Sequence, residues 1–401
     1  KTEYGKCAHC NEDNTQPAWC LSCDPDKATR WTSGNKNIDD CMKAFQLRTW
    51  RYEDLIEWIP FDRLSVVEEI GKGRFCSVYK AFWLDGIRRE VEKINDDSYK
   101  RAREISSTVA LKTLSEGSLK ELKIYGITQT NKNEYFMVLQ YADNGNLSRF
   151  LRVNFQEVNW KIKLKLLFDI SKDLYRIHEA GYIHANFHSG NILQDIGIGK
   201  YLQSYIANLR LSKKTNENDS EDEIYGVMPY VAPEVLLGQK FTKAADIYSF
   251  GVIMSEMSTG QRPFDGQEFD HKLAIKVCKG LRPEFAPGTP VCYIELANQC
   301  MDFDSQKRPS ASKIWNILEE WNESIESLDS INEIKTQFLE ADKAIKSLPI
   351  SKHPDEMYFT KIISTKLISK AIKGIYFQLI YYIDLIKNNN NCLFRFASSP
   401  S

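Results

Sequence analysis

Apolar residues recur at helical spacing in three parts of the chain. Ile162, Leu166, Leu167, Ile170, Leu174 and Ile177 keep a period near 3.6 in "NWKIKLKLLFDISKDLYRIHEAGYIH", which predicts a core helix. A second series runs from Ser312 to Leu348: Ile314, Ile317, Leu318, Trp321, Ile325, Leu328, Ile331, Ile334, Phe338, Ala341 and Ile345. Its 3/4 spacing is irregular, which favours a last helix plus an extension over 323–348 rather than a short coiled coil. The third series, Ile38, Met42, Phe45, Trp50, Leu55, Trp58 and Ile59, predicts a helical connector over 31–60 that packs on the next domain. After Pro349 the pattern fades. The polar run Asn388–Asn391 reads as disordered, so the tail 349–401 is expected to be partly so. The longest apolar stretch, Gly374–Ile386, contains Gln378 and Asp384 and falls short of the ~20 residues a spanning helix needs.

Charge adds little. A net charge of −1 over 401 residues gives no field to draw nucleic acid or an acidic membrane. Cysteine placement adds more. Four of the ten cysteines fall in the first 23 residues and the rest are scattered singly, which suits a local metal site in a reducing, cytoplasmic setting. "CAHCNEDNTQPAWCLSC" supplies Cys7-x2-Cys10 and Cys20-x2-Cys23. Two such turns aim four thiolates at one point and complete a closed, tetrahedral zinc site. A module of 1–30 cannot bury a core, so metal would supply most of its folding energy. A redox CxxC would come singly on a strand-helix unit, and His9, inside one pair, is not expected to ligate. Trp19 could stack on a base. However, four basic and five acidic side chains in residues 1–30 leave no attraction for phosphate, so a protein contact or a structural role is expected.

Between 61 and 322 a set of motifs stands in order. "EEIGKGRFCSVYKA" places Ile70, Gly71, Gly73 and Val78 around a glycine turn, with Cys76 where a third glycine would fall. "TVALKTL" carries Ala110 and Lys112, and "EYFMVLQYADNGNLSRFL" carries Leu139, Gln140 and Ala142. "IHANFHSGNIL" carries Asn186 and Asn191, and "YIANLRLSKK" carries Asn208. "PYVAPEVL", "ADIYSFGVIMSEM" and "KRPS" carry Glu234, Asp246 and Arg308. Together these resemble a protein kinase, closest to the tyrosine-kinase-like branch and to an expanded fungal group in which a CxxC knuckle precedes such a domain. The order of the motifs is far more specific than any one of them.

The resemblance implies an α+β, bilobal fold: a small β-rich lobe and a large helical lobe, preceded by the zinc module. It implies a nucleotide site in which Ile70, Gly71, Gly73, Val78 and Ala110 surround ATP and Lys112 pairs with its phosphates. Leu139 is then the gatekeeper, and the backbones of Gln140 and Ala142 meet adenine. Asp246 caps the catalytic loop from beneath, and Glu234 pairs with Arg308. The stretch Asp85–Glu104 reads as a solvated insertion.

The departures are chemical. Kinases carry aspartate at the loop position held here by Asn186, where it accepts the substrate hydroxyl's proton. An amide can orient a hydroxyl but cannot take the proton, and such a loss removes ~10²–10⁴ in rate. Asn208 stands at the magnesium aspartate, and an amide oxygen is the poorer ligand for that hard cation. Arg210 replaces the following glycine and either fills the pocket or touches phosphate. Ala185 replaces the loop arginine that receives a phosphorylated activation segment, so phosphate on Ser212, Thr215, Ser220 or Tyr225 would lack its usual partner. The helix that carries the partner of Lys112 has no room: residues 113–123 span only ~16 Å even if fully helical. Glu116 and Glu121 do not match the partner's position, which leaves Lys112 free to swing. The expected function is therefore a catalytically impaired pseudokinase acting as a signalling scaffold or allosteric partner. The alternatives are a weakly active Ser/Thr or Tyr kinase, with His188 at the position that usually reports the preference, or a zinc module served by a kinase-fold platform. Protein partners are expected, and ATP and Mg2+ are doubtful.

Overall fold

In a computed structural model, residues 3–24, 33–47, 49–72, 77–89, 91–95, 98–113, 123–196, 202–215, 223–327, 332–343 and 354–373 are described. The chain divides into two compact units, Lys1–Tyr141 and Ala142–Ser401. One is rich in sheet and the other in helix, as the two lobes of the expected fold require.

The first unit is built on a six-stranded sheet in the order β1-β7-β8-β6-β3-β2. Its strands are β1 (Glu57–Trp58), β2 (Leu64–Lys72), β3 (Ser77–Trp83), β6 (Ser107–Thr113), β7 (Ile124–Gln129) and β8 (Tyr135–Gln140). Side chains alternate across a strand, so β6 and β8 feed two apolar clusters. Val109, Leu111, Phe136 and Val138 join Leu64, Ala81 and Trp83 in one. Ala110, Met137 and Leu139 form the other, with Val78 packed against them.

The connector is only partly helical. Helix α1 (Lys36–Gln46) is capped by the Asn35 side chain, which accepts from the Asn37 N–H. Glu57–Trp58, expected to be helical, instead pairs in parallel with β7. Gly126 makes that approach feasible, because a Cβ there would lie 2.1 Å from the Glu57 carbonyl oxygen.

The stretch Asp85–Glu104 is not simply solvated. It holds a hairpin of β4 (Glu92–Asn95) and β5 (Ser98–Lys100). Its flanking arginines reach back: Arg88 and Arg103 both bond Glu57, and Arg101 pairs with Asp24 at 2.6 Å. The Arg101 guanidinium also lies over the rings of Trp19 and Tyr52. Residues 114–122, with Glu116 and Glu121, and residues 73–76, with Gly73, lie outside the described residues.

In the second unit, helices α2 (Leu147–Asn154), α3 (Trp160–Glu179), α5 (Lys243–Thr259), α6 (His271–Cys278), α7 (Val291–Cys300) and α8 (Ala311–Glu326) surround one core, with a single turn α4 (Pro233–Leu236). α5 is buried without a break from Ala245 to Ser258, the signature of a central helix. A further helix, α9 (Glu333–Ala341), packs its Phe338 on Trp160 and Trp321. Among the described residues, no helix is long and apolar enough to cross a membrane.

Part of the tail carries secondary structure that the sequence pattern did not specify. Residues 354–373 are ordered: a turn at Asp355–Tyr358, strand β14 (Lys361–Ser364), then helix over 365–373. β14 pairs antiparallel with β13 (Glu223–Gly226). The run Asn388–Asn391 lies outside the described residues.

Candidate functional site

The loop 184–191 follows β9 (Tyr182–Ile183) and is held from below by one carboxylate. Asp246, near the start of α5, accepts from the backbone N–H of His184 at 2.8 Å and of Ala185 at 3.0 Å, and meets His178 Nε2 at 3.0 Å. These bonds hold Ala185 at φ +62°, a left-handed conformation that costs an L-residue ~1–2 kcal/mol.

The three asparagines converge on one another. Asn208 Nδ2 lies 3.3 Å from Asn191 Oδ1, and Asn191 Nδ2 donates to the Asn186 carbonyl at 2.9 Å. Asn191 Nδ2 also approaches His188 Nε2 at 3.0 Å. Burial, aided by the neighbouring His184, lowers His188 to about 3, so the ring is neutral at ordinary pH. Asn186 is buried, and its side chain faces Thr360 of the tail: Asn186 Nδ2 donates to Thr360 Oγ1 at 3.0 Å. The left-handed residue after β11 (Leu202–Ile206) is Asn208 itself, at φ +70°. Position 210 sits in the right-handed turn that follows, so the absent glycine costs no strain in this conformation.

Glu234 and Arg308 form a two-pronged ion pair, both bonds 2.7 Å, with the arginine side chain fully buried. Sequence reasoning missed a second buried carboxylate. Glu256, on α5, accepts from Tyr230 Oη at 2.6 Å and from Ser189 Oγ at 3.0 Å. Burial pushes it above the usual carboxylate range, against those bonds. It lies in an apolar helical run where nothing local marks it.

In the sheet unit, Lys112 is buried on β6 between Val78 and Met137 and is engaged rather than free to swing. Val78, Ala110 and Leu139 share one apolar cluster, while Ile70 on β2 is exposed. The Gln140 N–H is already bonded to the Lys123 carbonyl at 2.9 Å. Ala142 is the first residue of the helical unit.

The N-terminal cysteines come together. The sulfurs of Cys7, Cys10, Cys20 and Cys23 all lie within 4.8 Å of one another, and three of the four residues are buried. Burial raises the Cys7 thiol, but the N–H groups of Cys10 and His9, together with the neighbouring Cys23 and Cys10 side chains, bring it down to about 6. Asp24 accepts from the Cys20 N–H at 2.8 Å and fixes that turn. His9 is not in the cluster. Trp19 does not offer a stacking face: it is 1% exposed and donates its indole N–H to the Thr49 carbonyl.

A family model described as protein tyrosine and serine/threonine kinase matches residues 64–318. Three Dictyostelium discoideum proteins, each bearing the name probable serine/threonine-protein kinase, are similar. One is 28% identical over 269 residues, covering 66% of this chain and 20% of that protein. A second is 27% identical over 263 residues, covering 65% and 28%. The third, roco5, is 27% identical over 278 residues, covering 65% and 10%. The chain thus spans less than a third of the length of each. With the ordered motifs and the fold that positions them, the match shows that the chain belongs to the protein tyrosine and serine/threonine kinase family.

Proposed function

We propose that the kinase-family body is a catalytically impaired pseudokinase that works by binding, as a signalling scaffold or allosteric partner. One observation carries this reading: the loop and metal positions are held by amides that bond one another, Asn208 to Asn191 and Asn191 to Asn186. Neither Asn186 nor Asn208 can take a proton or offer magnesium an anionic oxygen. The donor set does not fit Mg2+ well. The apolar cluster of Val78, Ala110 and Leu139 still suits an adenine ring, so nucleotide binding without turnover is compatible with it.

The test is phosphoryl transfer from labelled ATP to a generic substrate, comparing the unmutated chain with Asn186→Asp plus Asn208→Asp. The expected result is no transfer above background by the former. Transfer at ordinary kinase rates by the unmutated chain overturns the proposal. A thermal-shift titration with ATP gives a second readout, expected to be insensitive to magnesium. A weakly active Ser/Thr or Tyr kinase is the second reading. Buried Lys112, retained Asn191 and relatives named as serine/threonine-protein kinases favour it.

The reading extends to the cysteine cluster. Four thiols within 4.8 Å fit a closed tetrahedral zinc site. Zinc there would hold the fold of a segment with no core of its own. Such a site suits a cytoplasmic setting in which thiols stay reduced. Placement in the tyrosine-kinase-like branch, near a fungal group with this knuckle, is part of the same proposal and rests on motif order. A protein-binding role for the knuckle also belongs here.

A further inference from the structure

Residues 354–373 come after the part of the chain that matches the family, and they lie against the surface beside Asn186. Backbone pairing, ion pairs and buried side chains hold them there. β14 extends β13 by a four-pair antiparallel ladder, Glu223 opposite Ser364 through Gly226 opposite Lys361. Asp355 receives Arg152 at 2.7 Å and Arg262 at 2.9 Å, and the Arg262 side chain is 4% exposed. Arg262 also covers the ring of Tyr358, whose hydroxyl donates to the Pro263 carbonyl at 3.0 Å. Ile363 and Ile368 are buried in the core of the unit.

Between these anchors, Thr360 presents its hydroxyl to the Asn186 side chain. The docking has the form of strand addition: backbone bonds give affinity, and alternate side chains entering pockets give selectivity. Other side chains of the segment stay in water. Phe359, Ile362 and Leu367 are 55%, 43% and 65% exposed, so the contact is one-sided, as a bound peptide would be.

We propose that residues 354–373 are an intramolecular ligand of a peptide-binding cleft, and that the cleft accepts in trans an extended partner segment of the same chemistry. That segment carries an acidic residue, then an aromatic hydroxyl three residues on, a Ser or Thr five residues on, and a β-branched apolar residue eight residues on. The hydroxyl residue faces Asn186 and the apolar one faces Ile224. The inference rests on reading the surface beside Asn186 as the phosphoacceptor side of a kinase fold. The tether gives the internal segment an effective concentration on the order of millimolar. A partner therefore enters only when it binds tightly or when the tail is released.

The test uses the full chain and a full-chain double variant, Asp355→Lys with Ile363→Asp, and a fluorescent peptide covering residues 352–374. Anisotropy is expected to show binding to the double variant at least tenfold tighter than to the unmutated chain. Hydrogen exchange at residues 223–226 is expected to be slow in the unmutated chain, at least tenfold faster in the variant, and slow again with peptide bound. Equal peptide affinity for both chains overturns the proposal, as does a folded variant that does not bind. Should the variant not fold, exchange in the unmutated chain decides alone: slow exchange at 223–226 supports the docked tail, and exchange as fast as in an unpaired loop overturns it. Phosphoryl transfer by the unmutated chain would refute the pseudokinase reading and leave these readouts unchanged.

Discussion

An aspartate and an asparagine have nearly the same shape, so the loop keeps its geometry while its charge is gone. Asp246 still accepts from two backbone N–H groups, and the three asparagines still meet. The residues that hold the fold retain their charge. Arg308 is buried against Glu234 with two matched bonds, and it also donates to the carbonyls of Asp302 and Ala244. Removing one partner strands the other in a poorly solvating site. Arg308→Ala is expected to destabilise the helical unit by about 3–5 kcal/mol, read as a shift of the urea midpoint. The identity of these residues was legible from motif order. The contact of Asn186 with Thr360 was not, because it joins two segments far apart in the chain and neither carries a local mark of the other. Lys112 was misjudged for a related reason: its burial is set by strands on either side rather than by its own neighbours in sequence.

Long periodic elements were readable because each carries enough apolar positions to define a face. α3 and α8 lie where the 3.6-residue pattern put them. Short strands were not readable. β1 has two residues and β14 four, and each exists only because a partner strand offers free backbone groups. The tail segment also brings a pH dependence. The Arg152 bond lowers the Asp355 carboxyl, burial opposes it, and the charges of Arg152 and Arg262 add to the lowering. Facing groups are Arg152 on α2, Arg262 after α5, and Tyr358 on the segment itself, with Asp265 near that tyrosine. A depressed carboxylate contributes stability above its unfolded value of about 3.9 and loses it as pH falls through the folded value. Protection of residues 223–226, corrected for intrinsic exchange, should be flat from about pH 5 to 8 and should fall below about pH 4.

At the scale of the molecule, the chain falls into two units, and the cysteine cluster belongs to the first. A chelator, or Cys20→Ser, is expected to abolish exchange protection over residues 3–24 and to loosen residues 98–103. Arg101 of that stretch bonds the Ala18 carbonyl and Asp24. Protection over residues 142–327 should be unchanged; loss there as well would mean that the units do not fold separately. The two-residue strand β1 carries a consequence of its own. It covers the outer rim of β7, whose backbone groups would otherwise be open to any passing chain. A polypeptide trimmed to begin at residue 61, the natural place to cut by motif, would bare that rim. Light scattering should then find it clumping with itself while the uncut protein stays dispersed.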